Sequence, residues 1–348
     1  METLWFILVA LIITAYVILD GFDLGAGILH LVIAKTNDER RTVIRTIGPV
    51  WDGNEVFLLA SGGTLFFAFP ALYASSFSGF YLPLCIVLWL LIGRAVGIEF
   101  RHHLDSTVWT GIFDACFCFS SALLAIFFGA ALGNVVRGVA IEKDGTFFAP
   151  LWTSWRADSN PGILDWYTVI AGLVALVALA MHGALYIAVK TEGILNQRAR
   201  KVVAILWPAM IAITIASLLG TLSVRPQIFD NFRNHPIGFL VPILVISALS
   251  GIIAFSRRGE DGKAFTSSCV YLASMLVGAA FGLYPNVLPA RNDPANSLTI
   301  YNTASGHHGL TFGLIWWGIG VALAVTYFVI VYRMFGGKVT ADASGYGH

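Results

Sequence analysis

The chain has 348 residues, of which 57% are hydrophobic and only 12% are charged, and its formal net charge is +1. Soluble domains carry roughly 25% charged residues, so the composition predicts an integral membrane protein. The small net charge and the lack of a long basic segment exclude a nucleic-acid-binding protein.

The first apolar segment is predicted to stay in the mature protein rather than to act as a signal peptide. No basic residue precedes it, and Asp20 and Asp23 lie where a cleavage site would be expected. The cysteines form neither a C-x-x-C pair nor a haem-attachment motif, and we interpret them as small buried side chains. They are Cys85, Cys116, Cys118 and Cys269.

Nine apolar segments have about the 20 residues that a transmembrane helix needs. We therefore predict an all-α membrane protein with about nine transmembrane helices. The segments lie near 4–34, 51–72, 77–100, 109–136, 165–189, 201–222, 237–256, 264–284 and 309–334.

The distribution of lysine and arginine predicts the orientation in a bacterial inner (plasma) membrane. Fourteen of these residues fall in the connections and tail on one side and six on the other, while Arg94 lies within a helix. Because cytoplasmic loops are enriched in basic residues, the amino terminus is predicted outside and the carboxy terminus in the cytoplasm.

The two halves of the chain contain similar short motifs. Gly129-Ala-Ala-Leu-Gly133 ends the fourth segment and Gly278-Ala-Ala-Phe-Gly282 ends the eighth. We predict two related four-helix bundles, an additional ninth helix and two long outer loops. The boundaries are 1–136 and 165–284 for the bundles, 137–164 and 285–308 for the outer loops, and 309–348 for the ninth helix with its tail.

Acidic residues concentrate in the predicted cytoplasmic half of the membrane. Asp20 and Asp23 share one face of the first helix, beside the small-residue pair Gly21 and Gly25, which favours close approach of another helix. Acids within a membrane usually mark ion or proton paths. The candidate proton path consists of Asp20, Asp23, Asp52, Glu55 and Glu99.

Structural interpretations of the same residues remain open. Asp52 or Asn54 could cap the second helix, and Arg94 could pair with Glu99. Trp51, Asn54 and Arg94 are assigned structural roles around the acids. Asp114 is a lone acid in the fourth helix with no assigned role.

Histidines are candidate haem ligands in a membrane protein of this kind. His30 and His182 lie in helices, but no repeated spacing of paired histidines is present. His307 and His308 precede the last helix, and no role is assigned to them. We predict no metal site in this chain.

Four motifs closely resemble subunit II of cytochrome bd-type quinol oxidases, and the resemblance extends over essentially the whole chain. It also includes Leu298-Thr299 and Ala304-Ser305, and it departs from many relatives at Phe57 and at Gly306-His307-His308. The four motifs are Asp20-Gly21-Phe22-Asp23-Leu24-Gly25-Ala26-Gly27, Trp51-Asp52-Gly53-Asn54-Glu55-Val56, Phe77-Ser78-Gly79-Phe80-Tyr81 and Arg94-Ala95-Val96-Gly97-Ile98-Glu99-Phe100-Arg101.

The resemblance implies two four-helix bundles with a peripheral ninth helix, paired with a related subunit I. It implies that haem b, haem d and the quinol-oxidation site belong to subunit I, where dioxygen is reduced to water with cytoplasmic protons. This chain would then be a haem-free subunit that stabilises subunit I and supplies part of the proton path. Expected partners also include the quinol pool and membrane lipids, and a small single-helix subunit and a bound quinone remain open.

Two other functions fit parts of the sequence. A proton-coupled secondary transporter would explain the internal repeat and the intramembrane acids. A stand-alone haem b electron carrier would need histidine pairs that the sequence lacks. We therefore favour an accessory oxidase subunit that is not catalytic alone.

Overall fold

A computed structural model describes residues 1–339, so the end of the predicted tail, 340–348, lies outside the described residues. Twelve α-helices dominate this part of the chain, and one short two-stranded sheet joins them. The helices are α1 Glu2–Ile33, α2 Asn37–Ile47, α3 Trp51–Ala68, α4 Pro70–Gly79, α5 Tyr81–Glu99, α6 Thr107–Arg137, α7 Trp166–Lys190, α8 Gly193–Val224, α9 Asp230–Asn234, α10 Leu240–Arg257, α11 Asp261–Leu283 and α12 His307–Met334. The strands are β1 Asn286–Leu288 and β2 Leu298–Thr299.

Eight of the described helices are long and apolar enough to cross a membrane, which confirms an all-α membrane protein. The second predicted segment, 51–72, is the one not among these eight, and it forms α3 and the start of α4. Pro70 begins α4, and Phe69 before it leaves the helical conformation (φ −133°, ψ 64°), as expected for a residue that precedes proline. The 18 residues of α3 span about 27 Å, which is close to the thickness of the hydrocarbon core.

Helix α2 lies in a segment for which the sequence analysis predicted only a connection. Thr36 caps it, and the Glu39 side chain accepts hydrogen bonds from the backbone N–H groups of Lys35 and Thr36. Arg198 of α8 donates a 2.8 Å hydrogen bond to the same carboxylate. These contacts anchor α2 beside the end of α1.

Helices α1 and α7 cross at a pair of glycines. A Cβ atom on Gly25 would lie 2.0 Å from the carbonyl oxygen of Leu179, and one on Gly183 would lie 2.3 Å from the carbonyl carbon of Gly25. The predicted close approach at Gly25 is therefore confirmed. The neighbouring helix, α7, belongs to this chain, so this part of the glycine face is occupied within the chain.

The predicted bundles correspond to α1, α3, α5 and α6 in the first half and to α7, α8, α10 and α11 in the second. Contacts of α7 with α1 and α6 join the two sets. Gly129 of α6 packs on the α7 backbone, with its Cβ position 2.5 Å from the Ala171 oxygen. Gly278 of α11 instead faces Val241 of α10, so the two similar motifs pack against different neighbours. The domain boundaries remain a prediction.

Helix α12 is peripheral, and Leu310 is its only buried residue. It lies beside α3, where Phe328 contacts Phe57 with ring centroids 5.0 Å apart.

At the opposite end of the bundle from α2, the segments 138–165 and 284–306 pack on each other, and Val139 pairs with Ala290. Arg137 and Asp165 form a buried ion pair beneath them. Trp152 and Trp155 stay about half exposed, as suits tryptophans that contact lipid headgroups.

Candidate functional site

The second half of α1 carries two carboxylates into the centre of the bundle. The exposed fraction is 0% for Asp20 and 1% for Asp23. Both acids therefore need partners from the surrounding helices, because an unpaired charge in a membrane interior is costly.

Arg94 of α5 joins Asp20 to Glu55 of α3. Its Nη1 donates to Asp20 Oδ1 over 2.6 Å, and its Nη2 donates to Glu55 Oε2 over 2.7 Å. Arg94 is fully buried, and the Glu55 side chain is 23% exposed. The Arg94 guanidinium carbon also lies 6.0 Å from the centre of the Trp51 ring. We call Asp20, Asp23, Asn54, Glu55 and Arg94 the acid cluster.

The predicted pairing of Arg94 with Glu99 is wrong. Five residues on a helix correspond to a rotation of about 140° between their side chains, so Arg94 faces the bundle while Glu99 is exposed. Glu99 therefore lies outside the acid cluster.

Asp23 is held by an amide instead of a cation. Asn54 Nδ2 donates to Asp23 Oδ2 over 2.7 Å and to the Leu19 carbonyl oxygen over 3.2 Å. The Tyr332 hydroxyl of α12 donates to Asn54 Oδ1 over 2.9 Å. A chain of hydrogen bonds therefore runs from α12 to Asp23, and no sequence motif indicated the contribution of Tyr332.

Asp52 is exposed in the first turn of α3. The helix begins after Val50 without a side-chain cap, so the interpretation of Asp52 or Asn54 as a cap is wrong. Asp52 precedes Glu55 by three residues and shares its face of the helix.

The acid cluster contains carboxylate oxygens that the protein leaves unsatisfied. Within residues 1–339, Asp20 Oδ2 and Asp23 Oδ1 have no hydrogen-bond partner. The Tyr16 hydroxyl, one turn before Asp20 on α1, is likewise buried without a partner. A buried oxygen of this kind is normally satisfied by a proton or an ordered water. Each of these oxygens is therefore a place where a proton or a water molecule can bind.

A second buried cluster surrounds Asp114 of α6, to which the sequence assigned no role. Asp114 Oδ1 accepts hydrogen bonds from His30 Nε2 (2.6 Å) and Arg101 Nε (2.5 Å). Its Oδ2 accepts from Arg40 Nη1 (3.1 Å) and Arg101 Nη2 (3.2 Å). Arg101 Nη2 also donates to Asn37 Oδ1 over 2.7 Å. We call these five residues the arginine cluster.

The histidines weighed as haem ligands do not fit a haem. His182 uses both ring nitrogens in hydrogen bonds, Nδ1 with Ser268 Oγ (2.7 Å) and Nε2 with the Ile18 oxygen (3.0 Å). His30 directs Nε2 to Asp114, and both of these side chains are fully buried. His307 and His308 are exposed at the start of α12. Over 1–339, no three His, Cys, Asp or Glu side chains are grouped to hold a metal ion.

The comparison with protein families gives one match over almost the whole chain. The family model described as cytochrome bd terminal oxidase subunit II matches residues 1–335. Among individual relatives, the probable cytochrome oxidase subunit 2 of Haemophilus influenzae is 31% identical and covers 97% of this chain and 95% of its own. The cytochrome bd ubiquinol oxidase subunit 2 of Bacillus subtilis is 32% identical, covering 89% of this chain and 88% of its own.

The fold also matches a solved structure of bd oxidase from Geobacillus thermodenitrificans. The TM-score is 0.77 at 17% sequence identity, with 96% of this chain and 98% of that chain covered. The family match favours an oxidase subunit over the secondary transporter considered from the sequence. The chain belongs to the cytochrome bd terminal oxidase subunit II family.

Proposed function

We propose that this chain is a haem-free subunit of a quinol:oxygen oxidoreductase, in which it stabilises subunit I and provides part of the proton-uptake path. Its relatives are named as subunits of cytochrome bd ubiquinol oxidases. Haem b and haem d are expected in subunit I, since His30 and His182, the helix histidines considered as haem ligands, form hydrogen bonds within this chain. Reduction of dioxygen to water consumes protons, which must cross hydrocarbon to reach the reaction site.

The observation that carries the proposal is a series of acids with increasing burial. Asp52 is exposed, the Glu55 side chain is 23% exposed, and Asp20 is fully buried behind Arg94. Asp23 lies on the same face of α1, about one turn closer to the predicted cytoplasmic end, and is as buried as Asp20. The series leads from the predicted cytoplasmic surface toward the middle of the bundle, as a proton path requires.

The charge balance of the acid cluster supports proton uptake. Arg94 is the only cation among its five residues, whereas Asp20, Asp23 and Glu55 are three carboxyl groups. Full ionisation would leave two uncompensated negative charges in a membrane interior, which is strongly unfavourable. The cluster therefore has capacity for protons, and Asp20 Oδ2 and Asp23 Oδ1 are the oxygens open to receive them.

Arg94 holds the Glu55 and Asp20 carboxylates in place but does not release and take up a proton itself. An arginine side chain is not deprotonated in proteins, so a proton must pass around it between Glu55 and Asp20. Its two donor groups keep these carboxylates on opposite sides of one guanidinium. Water molecules beside the guanidinium would complete the connection.

The support for a stabilising role is the outward surface of the bundle. Large apolar side chains on α10 remain exposed, among them Leu240, Ile243 and Ile246. Lipid and subunit I can both cover such a surface, and permanent complexes bury more than roughly 2,000 Å². We therefore expect this chain and subunit I to copurify as a heterodimer in mild detergent.

The decisive experiment replaces Asp23 by asparagine in the complete oxidase. Asp23→Asn keeps the size of the side chain and an acceptor for the Asn54 amide, but it removes the titrating proton. We expect normal haem content and a loss of at least tenfold in quinol-driven oxygen uptake. Glu99→Gln, which neutralises an exposed acid outside the cluster, is the matched control and should remain fully active. Full activity of Asp23→Asn would exclude this path.

A further inference from the structure

A groove of about 480 Å³ lies between α8 and α10, and no residue of either buried cluster lines it. It begins at the predicted cytoplasmic end of the two helices, where Arg200, Lys201 and Arg257 line it. Deeper in the membrane its wall consists of Trp207, Pro208 and Ile253. The groove is therefore cationic at the membrane surface and apolar below.

The cations differ in their partners. Arg200 is neutralised by Asp261, to which its Nε and Nη2 donate hydrogen bonds of 2.8 and 2.7 Å. Lys201 and Arg257 are exposed and form no ion pair with a carboxylate of residues 1–339. Two positive charges thus remain at the mouth of the groove.

The apolar wall is held in a fixed shape. Trp207 Nε1 donates a 2.8 Å hydrogen bond to the Leu249 oxygen, which joins α8 to α10 at the floor of the groove. Pro208 lies inside α8 and lacks an N–H group, so the Ala204 carbonyl has no helical donor. Ala204 also lines the groove, and its oxygen offers an acceptor one turn below Lys201.

We propose that this groove binds one anionic phospholipid. Its phosphate lies between Lys201 and Arg257, and one acyl chain follows Trp207 and Ile253. Basic pockets between transmembrane helices suit anionic headgroups, and the seven-residue step from Lys201 to Pro208 covers about 10 Å of membrane depth. One turn of a helix, about 10–12 Å wide and 5.4 Å long, already occupies roughly 500 Å³, so a groove of about 480 Å³ suits an acyl chain better than a partner helix. The proposal does not depend on the proton path.

The test is native mass spectrometry of the detergent-extracted heterodimer, titrated with phosphatidylglycerol and with phosphatidylcholine. Lys201→Gln with Arg257→Gln should weaken phosphatidylglycerol binding at this site about 25-fold, because each basic residue at an anionic surface contributes about a fivefold factor. Ala204→Phe fills the groove without changing its charge and should also abolish binding. Arg258→Gln with Lys263→Gln removes two charges nearby from residues that do not line the groove, and binding should persist.

Four results would overturn the proposal. These are equal phosphatidylglycerol binding in the Lys201/Arg257 variant, an equal loss in the Arg258/Lys263 control, binding that survives Ala204→Phe, and equally tight binding of phosphatidylcholine. Retention of a quinone or a small polypeptide at the groove, displaced by Ala204→Phe in place of the phospholipid, would also assign the groove to another occupant.

Discussion

The acid cluster and the arginine cluster are both buried, yet they handle charge in opposite ways. In the arginine cluster each oxygen of Asp114 accepts two hydrogen bonds, and two arginines with one histidine surround a single acid. In the acid cluster three carboxyl groups share one arginine, and two of their oxygens stay without partners. A saturated acid has no site for an arriving proton, whereas an unsaturated one does. The comparison therefore indicates that Asp114 fastens helices together, whereas Asp20 and Asp23 each keep one oxygen without a partner, as the proposed proton path requires.

The largest expected effect tests whether Asp114 and the arginine cluster hold the helices together. Asp114→Ala would leave Arg101 and His30 buried without a counter-charge, and breaking such a pair destabilises a protein by about 3–5 kcal/mol. We expect little assembled heterodimer in the membrane, measured by quantitative immunoblotting and by thermal unfolding of what is purified. Asp105→Ala removes the exposed acid that pairs with Arg41 and should assemble normally. A stable Asp114→Ala heterodimer would show that the arginine cluster is dispensable for the fold.

The second prediction tests whether Asp52 is the entrance of the proposed proton path through the acid cluster. Asp52→Asn should assemble with normal haem content, because Asp52 is exposed, but should lose most of its quinol-driven oxygen uptake. The measurement is oxygen consumption across pH at constant haem. Full activity with an unchanged pH profile would leave Glu55 as the outermost acid of the route.

The smallest effect concerns Glu39, which anchors α2 and with it Arg40 and Asn37 of the arginine cluster. Burial opposes its ionisation, but hydrogen bonds from Lys35, Thr36 and Arg198 outweigh it and lower the pKa of Glu39 below its ordinary value of 4.5. Because folding lowers this pKa, the stabilisation is complete above about pH 4.5 and is lost as pH falls through the folded-state value.

Glu39→Gln should therefore unfold at a slightly lower temperature than the wild type at pH 7, with the difference shrinking as pH approaches 4. Thermal unfolding of the heterodimer at several pH values measures this trend. Asp38→Asn, an exposed neighbour on the same helix, should show no such convergence. A difference that is constant with pH would mean that the Glu39 charge does not contribute.

The membrane architecture could be predicted from the sequence because each transmembrane helix corresponds to one continuous apolar segment. It also placed Asp20 and Asp23 correctly, since acids three residues apart in such a segment must share a buried face. The Thr36-x-x-Glu39 capping box was visible as well, and it would have identified α2, but the segment was treated as a connection.

Residues that meet from distant segments could not be predicted in the same way. Asp114 meets His30 across 84 positions and Arg40 across 74, and no spacing rule links them. The pairing of Arg94 with Glu99 failed for a reason that the sequence did contain, because helical periodicity directs the two side chains about 140° apart. The hydrogen bond from Tyr332 to Asn54 could not be predicted either, because it depends on the packing of α12 beside α3.

The glycine crossing of α1 and α7 has a consequence for biosynthesis. Helix α7 ends at Lys190, about 160 residues after α1 ends at Ile33, and ribosomes add roughly 5–20 residues per second. For roughly 10–30 seconds of synthesis, the face of α1 that will pack on Gly183 therefore has no native neighbour. Asn54 and Arg94 emerge earlier, so the hydrogen bonds to Asp23 and Asp20 can form before that face closes. The order of helices along the chain thus allows the two acids to find their hydrogen-bond partners before α1 packs on α7.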